Sequence, residues 1–392
     1  MSKVEVRLSG TNLERAANHN MRITLHAIRV HQAITRVALA RITGLTAPAV
    51  ANITRRLIED GLIVEDGRIR NGRGQPGKVL KINPAARYSF GVNIDRGHVS
   101  LILVNFAGDV LARRHWEKAF ALPEEVKTFW ERNAPAMMAE AGADPDRLTG
   151  IGAALPDDLG SIYLPGAGED YSLWQETDAA GLFLSPFNKP VFIENDAAAA
   201  AMGEQQFGVG PQLDSFLYIL ISSGLGGGLV IDGRYVRGAE GRSGEIGLIP
   251  IQGGGLVQDH VSLSGLSRCL AGKDFSLADL DTLKPGSTCD EVFKSWLDGA
   301  VERLVPPLIA ANCLINPAGV LIGGRLAPAC IDRLTVALNN ALGEVRPALP
   351  ACAPVSRAQL SEDAPSIGAA ILPFSHFHLP HASALWKDEL AC

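Results

Sequence analysis

No run of about 18 apolar residues occurs anywhere in the 392-residue chain, so the sequence offers no membrane-spanning helix. The longest apolar stretch, Phe216 to Ile231, is interrupted by Ser222, Ser223 and four glycines. The N-terminal MSKVEVRLSG carries neither an apolar h-region nor a small-residue cleavage site, and the expectation is a cytoplasmic protein without a membrane partner. The six cysteines (Cys269, Cys289, Cys313, Cys330, Cys352, Cys392) never form a C-x-x-C pair, which argues against a zinc site or a disulfide framework and for reduced thiols. With 41 Gly and 23 Pro the chain has too little of either for a low-complexity sequence, and 47% hydrophobic residues suffice for a core. At this length more than one compact unit is expected.

Charge is present but unevenly spread. The net charge is −6, yet residues 1–85 hold 14 Lys and Arg against 6 acids, so a head of +8 precedes a body of −14. A basic head suits a polyanion, because cations that displace condensed counterions supply the sequence-independent part of nucleic-acid affinity. A merely solvated basic surface has the same composition.

Within that head, Leu25 and Ile28, then Val37, Leu39, Ala40 and Ile42, recur at helical spacing and predict helices over about 13–31 and 36–43. Gly44 is a turn glycine, Thr46 an N-cap and Pro48 a first-turn proline for a third helix with Val50, Ile53, Leu57 and Ile58 inward. Gly61 ends it, and two strands, 62–64 and 79–82, flank a Gly/Arg-rich hairpin at 71–78. This is the pattern of a winged helix-turn-helix. Ala49, Asn52 and Arg56 then share the outer face with Arg55 at its flank, and Thr46 and the wing's Arg73 complete the candidate DNA-binding set. Asn can pair with adenine, Arg with guanine and the Ala methyl can touch thymine; contact with phosphate alone is the blander alternative.

From Tyr88 the chain alternates strands and helices. Strands are predicted at 90–95, 99–104 and 110–112 in successive hairpins, then at 150–155, 191–194, 217–222, 228–231 and 320–322. Helices are expected at about 123–141, 196–207 and 291–315, which gives sheets flanked by helices in two lobes. The glycines at 224, 226, 227 and 228 would let a backbone approach phosphate or ligand closely. Asp196, which follows a buried strand at an expected helix N-terminus, could act as a base, accept hydrogen bonds from a sugar or cap the helix. Glu245 sits among glycines rather than on a polar helix face, which favours a ligand-facing carboxylate.

The run Ile221–Leu229, followed by Gly238 and by Gly244-Glu245-Ile246-Gly247-Leu248, resembles the signature of the ROK family of repressors, open reading frames and sugar kinases, departing only at Leu248, where a basic residue is usual. Glu194-Asn195-Asp196 with its alanine run, and Asn316-Pro317 before Leu321-Ile322-Gly323-Gly324, resemble further elements of that family, and the resemblance covers residues 18–375. With its winged helix the chain is most similar to the transcriptional-regulator branch, which includes xylose and N-acetylglucosamine repressors.

The resemblance implies an α/β fold: a winged helix-turn-helix at 1–85 and a two-lobed, actin-like or sugar-kinase-like body. The first lobe is expected over 86–205, completed by about 370–392, and the second over 206–369. It also implies a carbohydrate effector held by Asn195, Asp196, Glu245 and Gln258. Asp95, Gly97, Gly224, Gly226, Gly227, Gly323 and Gly324 would be remnants of nucleotide-binding loops. Family kinases open the body with D-x-G-G-T, whereas this chain has Asp95-Arg96-Gly97-His98-Val99, which argues against tight ATP binding. The family's zinc ligands are replaced by Leu248 and the cysteine-free segment 253–258, so no metal and no cofactor are expected. The expected protein is a homodimer or dimer of dimers that binds an inverted-repeat DNA operator and represses carbohydrate genes under control of a sugar. The alternative is an ATP-dependent sugar kinase with an accessory DNA-binding head, in which Asp196 is the catalytic base.

Overall fold

The computed structural model describes residues 13–69, 77–157, 159–161, 166–273, 275–349 and 351–380. In the head, α1 (Leu13–His31) buries Leu25 and Ile28. β1 (Ile34–Thr35) leads into α2 (Arg36–Thr43), where Thr35 Oγ1 accepts the Ala38 N–H and Gly44, at φ 70°, ends the helix in the left-handed region. Thr46 Oγ1 accepts the Ala49 N–H at 3.4 Å, and Pro48 enters the first turn of α3 (Ala47–Glu59). α2 and α3 meet at a 116° bend, in the range of helix-turn-helix pairs. β2 (Ile63–Ile69) pairs antiparallel with β3 (Gly77–Ile82), and β1, a strand too short to be read from sequence, adds to the other edge of β3.

Two positions of the expected apolar stripe are exposed, Val37 by 80% and Ile42 by 47%. Successive helical residues are 100° apart, so Val37 lies opposite Leu39, which fills the one buried stripe an eight-residue helix has. On α3, Val50 and Leu57 are buried and Ile53 is half-buried. Thr54 is buried as well, because its hydroxyl accepts a hydrogen bond from Arg36 Nε at 2.8 Å.

The body repeats one topology. β4 (Tyr88–Ile94), β5 (His98–Asn105) and β6 (Val110–Glu117) form an antiparallel meander, α4 (Pro123–Glu140) crosses over, and β7 (Leu148–Leu155) and β8 (Val191–Asn195) join parallel to β4. α5 (Asp196–Phe207) leads to a second meander of β9 (Phe216–Ile221), β10 (Leu225–Ile231) and β11 (Arg234–Tyr235). Its crossover holds α6 (Val257–His260), α7 (Leu263–Leu270) and α8 (Thr288–Leu314). β12 (Gly319–Gly324), α9 (Pro328–Val345), β13 (Val355–Arg357) and α10 (Ala364–Phe377) follow. Among the described residues the strand orders are β6-β5-β4-β7-β8 and β11-β10-β9-β12-β13, the same order twice.

Two small-residue helices join the sheets. α5 lies on β9 and β10, α10 lies on β4, β5 and β7, and the two helices pack directly on each other. Ala197 to Ala201 are all buried, and a Cβ on Gly368 would come within 1.6 Å of the Ala199 carbonyl oxygen. Only glycine tolerates that approach. Gly368→Ala is therefore expected to destabilise the fold by about 3 kcal/mol, read as a lower midpoint in urea unfolding at unchanged slope. One apolar cluster continues from Leu25, Ile28 and Leu39 of the head to Ile102, Phe106 and Phe374 of the body. Among the described residues no single helix is long and apolar enough to cross a membrane.

Candidate functional site

The C-terminal ends of β4, β7 and β8, the start of α5 and the β9–β10 turn converge on a cleft open on one side. Asn195 and Asp196 come from the β8–α5 junction, Asp95 and Arg96 from the end of β4, and Asp157 from the end of β7. Gly224, Gly226, Arg242, Glu245, Leu248 and Gln258 complete its lining. The structure thus brings Asn195, Asp196, Glu245 and Gln258 together.

Asn195 is the cap of α5: its Oδ1 accepts the N–H groups of Ala197 at 3.0 Å and Ala198 at 3.1 Å. Its amide nitrogen remains to donate toward the cleft. Asp196 is buried, and its Oδ1 accepts the Ala197 N–H at 2.8 Å. Burial first, then the Asp95 and Asp157 carboxylates, push its pKa up to about 7, against the pull of the Ala197 N–H and the Arg96 charge. Glu245 is held by Arg242 Nε at 3.1 Å, and the same nitrogen lies 3.4 Å from Asp157. Glu194, named only as part of a motif, is buried and bonded by Arg237.

Asp95 is occupied by the protein itself. It accepts hydrogen bonds from the Arg96 N–H at 2.7 Å, the Ser223 hydroxyl at 3.1 Å and the Ser223 N–H at 3.4 Å, so the two sheets are bonded to each other across the cleft. Burial would raise its pKa, but the facing His98 ring, 3.7 Å away, and these N–H groups outweigh burial and hold it below the usual range. His98 does not project into the loop as its position in the sequence suggests; it starts β5, is 3% exposed and turns toward Asp95 and Asn93.

The glycines also answer to packing. Gly226 and Gly228 lie in β10, where a Cβ would meet the Ala197 and Ala201 methyls at 2.7 and 2.5 Å, and Gly227 faces the Gly244 carbonyl at 2.2 Å. Packing of α5 on β10 requires Gly226 and Gly228 to be small, and the Gly244 backbone requires it of Gly227. A Cβ on Gly323 would strike the Tyr218 hydroxyl, and Gly324, at φ 114°, abuts the Ile221 carbonyl. Gly97 has only ordinary contacts, to Ser223 and Arg325. Gly224 alone of the β9–β10 glycines keeps room on the cleft, with the Arg96 guanidinium and the Gln258 side chain each 3.6 Å from its Cβ position.

Arg96, Asp157 and Arg242 were missed by sequence reasoning. A carboxylate straight after a buried parallel strand, as in Leu155-Pro156-Asp157, is the signal that could have found one of them, since ligands bind beyond the carboxyl ends of such strands.

On the head, Thr46, Asn52, Arg55 and Arg56 are exposed and Ala49 is half-exposed. Arg55 donates to Asn52 Oδ1 at 2.9 Å, and Arg56 lies 3.9 Å from Asp60. Arg73 falls outside the described residues.

Comparison with known proteins agrees with this layout. The ROK family profile matches residues 89–375, and a winged helix-turn-helix DNA-binding profile matches residues 20–64. A xylose repressor from Caldicellulosiruptor bescii is 27% identical over 298 residues, 74% of this chain and 72% of that protein. The crystal structure of a ROK family transcriptional regulator, a homologue of the E. coli MLC protein, superposes with a TM-score of 0.68 at 21% identity over 93% of this chain and 97% of that one. A ROK hexokinase from Thermus thermophilus shares the fold with a TM-score of 0.55 at 24% identity, covering 72% of this chain and 97% of its own. An N-terminal winged helix-turn-helix joined to a duplicated α/β body whose matched region spans both sheets makes this chain a member of the ROK family.

Proposed function

We propose that this protein is a DNA-binding transcriptional repressor of carbohydrate genes, released or retained by a sugar or sugar-like effector bound between the lobes. The observation that carries the reading is the position of α5. Asn195 and Asp196 at its start face the effector cleft, while Gln206 and Phe207 at its end grip Arg29 of α1 in the DNA-binding head. The Arg29 guanidinium is stacked 5.1 Å from the Phe207 ring centre and bonded to Gln206. Arg22 of the same helix donates to the His376 and Leu379 carbonyls at 3.0 and 3.1 Å, beside the end of α10. A ligand that draws on Asp196 pulls on a rigid helix whose far end holds the head, and DNA-competent and incompetent arrangements of a dimer would differ by that contact.

The test is retardation of duplex fragments flanking its own gene at low salt, with and without sugars; no retardation under any condition overturns the reading. Phe207→Ala should leave operator affinity and effector affinity each within about threefold, yet cut the factor by which effector changes operator binding by at least about fivefold, within the usual span of coupling energies. Calorimetry on both ligands, alone and together, measures it. The operator is an inverted repeat, matching a symmetric dimer.

A sugar kinase with an accessory head is the second reading, favoured by one observation: the pKa of Asp196 near 7 suits a general base. Against it stands Asp95, whose carboxylate is engaged by Ser223 and Arg96 rather than open to organise a metal and phosphates. No ATP-dependent phosphorylation of hexoses or amino sugars above background is expected; turnover abolished by Asp196→Asn would promote the kinase.

A further inference from the structure

The cleft carries two chemically different sets of groups. Asn195, Asp196 and Glu245 present groups suited to hydroxyls. The Arg96 guanidinium and the Gln258 Oε1 lie beside Gly224, each 3.6 Å from its Cβ position. Arg96 is half-buried, and among the described residues its guanidinium makes no hydrogen bond and no ion pair.

Among the described residues no acid forms an ion pair with it, although its charge acts on Asp196. Asp95 is bonded by Ser223 and by the Arg96 backbone, not by its side chain. Asp157 and Glu245 share Arg242. Residue 258, which stands at the corner with Arg96, is an uncharged amide able to donate as well as accept. What remains without an ion-pair partner among the described cleft residues is one buried carboxyl, Asp196, and one guanidinium, Arg96. A planar fork of donors without an acceptor is the geometry that recognises carboxylate or phosphate.

We propose that the effector, on the reading of a sugar-responsive regulator, is an acidic sugar, whose anionic oxygens are held by Arg96 and Gln258 while its hydroxyls face Asn195, Asp196 and Glu245. A sugar acid and a sugar phosphate offer the same oxygens to Arg96. The anionic group lies beside the Ser223–Gly224 turn, where the backbone is unobstructed by a Cβ. Arg96 does for this cleft what a neutral residue could not: it makes a ligand's negative charge an asset among four carboxyl groups.

The experiment is isothermal titration of the full-length protein with glucose, glucuronate, gluconate and glucose 6-phosphate, on wild type, Arg96→Gln and Arg96→Lys, with melting curves to verify folding. The expected result is about ten- to a hundredfold tighter binding of at least one acidic sugar than of glucose, the span of one hydrogen-bonded charge. Arg96→Gln should erase that preference, weakening the acidic sugar at least about tenfold more than glucose, and Arg96→Lys should restore part of it. Glucuronate or gluconate ahead of the phosphate identifies a carboxylate, and the reverse order a phosphate; either supports the proposal. Glucose binding as tightly as every acid, or an acid preference that survives Arg96→Gln, overturns the proposal and leaves the sugar-responsive reading standing. Binding of no sugar of either class overturns both.

Discussion

Asp196→Asn should abolish effector response while making the free protein more stable, and the gain should depend on pH. Asp196 is buried with a pKa raised to about 7 by desolvation and by Asp95 and Asp157, whereas an unfolded-chain aspartate titrates near 4. The folded state therefore binds a proton that the unfolded state has already lost, and stability falls as pH rises between about 4 and 7. Asparagine carries no charge at any pH. The variant should match wild type near pH 4 and exceed it by on the order of 2–4 kcal/mol at pH 8. Melting curves at the two pH values measure the difference; a variant less stable than wild type at pH 8 would contradict a buried, strained carboxylate. Hydroxyl donors from a sugar favour the ionised form, so binding should expel a proton and strengthen as pH rises through about 7. Loss of two charge-assisted hydrogen bonds should weaken effector binding by about a hundredfold or more.

The second large effect belongs to the head. Arg55→Ala with Arg56→Ala should weaken operator binding by about 3 kcal/mol, roughly 150-fold, since each arginine contact with a base is worth about 1–3 kcal/mol. Stability should be nearly untouched, because both side chains are exposed and the Arg56–Asp60 pair, at 3.9 Å, is a surface ion pair. The salt dependence tells the two roles apart. A phosphate contact lowers the slope of log affinity against log salt by about one per residue and weakens all sequences alike. A base contact instead relaxes preference at one operator position. Binding unchanged in the double variant would remove α3 as the reading helix.

Much of this was legible in the chain because it is local. Thr35, Gly44, Thr46 and Pro48 set the ends of α2 and α3 through bonds spanning three or four residues, and the strands of both meanders follow from short apolar runs between turns. The convergence of Asn195, Asp196, Glu245 and Gln258 was expected only through the ordered motifs of the family, not from any local signal.

What the amino-acid order by itself determined is the three helices of the head, the first meander, the helices α4, α5 and α8, the basic head on an acidic body and the presence of a carboxylate after a strand; β1, β11, β13, α6, α7, α9 and α10 were not read from it. What only the tertiary structure decided is what those residues face. Arg96 could not be seen as an unpaired charge until Arg242, far along the chain, took Asp157 and Glu245. That α5 rests on Gly226 and Gly228 is likewise decided by tertiary packing, and Asp196 owes its raised pKa to burial and to carboxylates about 100 and 39 residues earlier. Caps and periodicity act through neighbouring peptide groups and are written in sequence; charge pairing, close packing and desolvation depend on which distant surfaces meet.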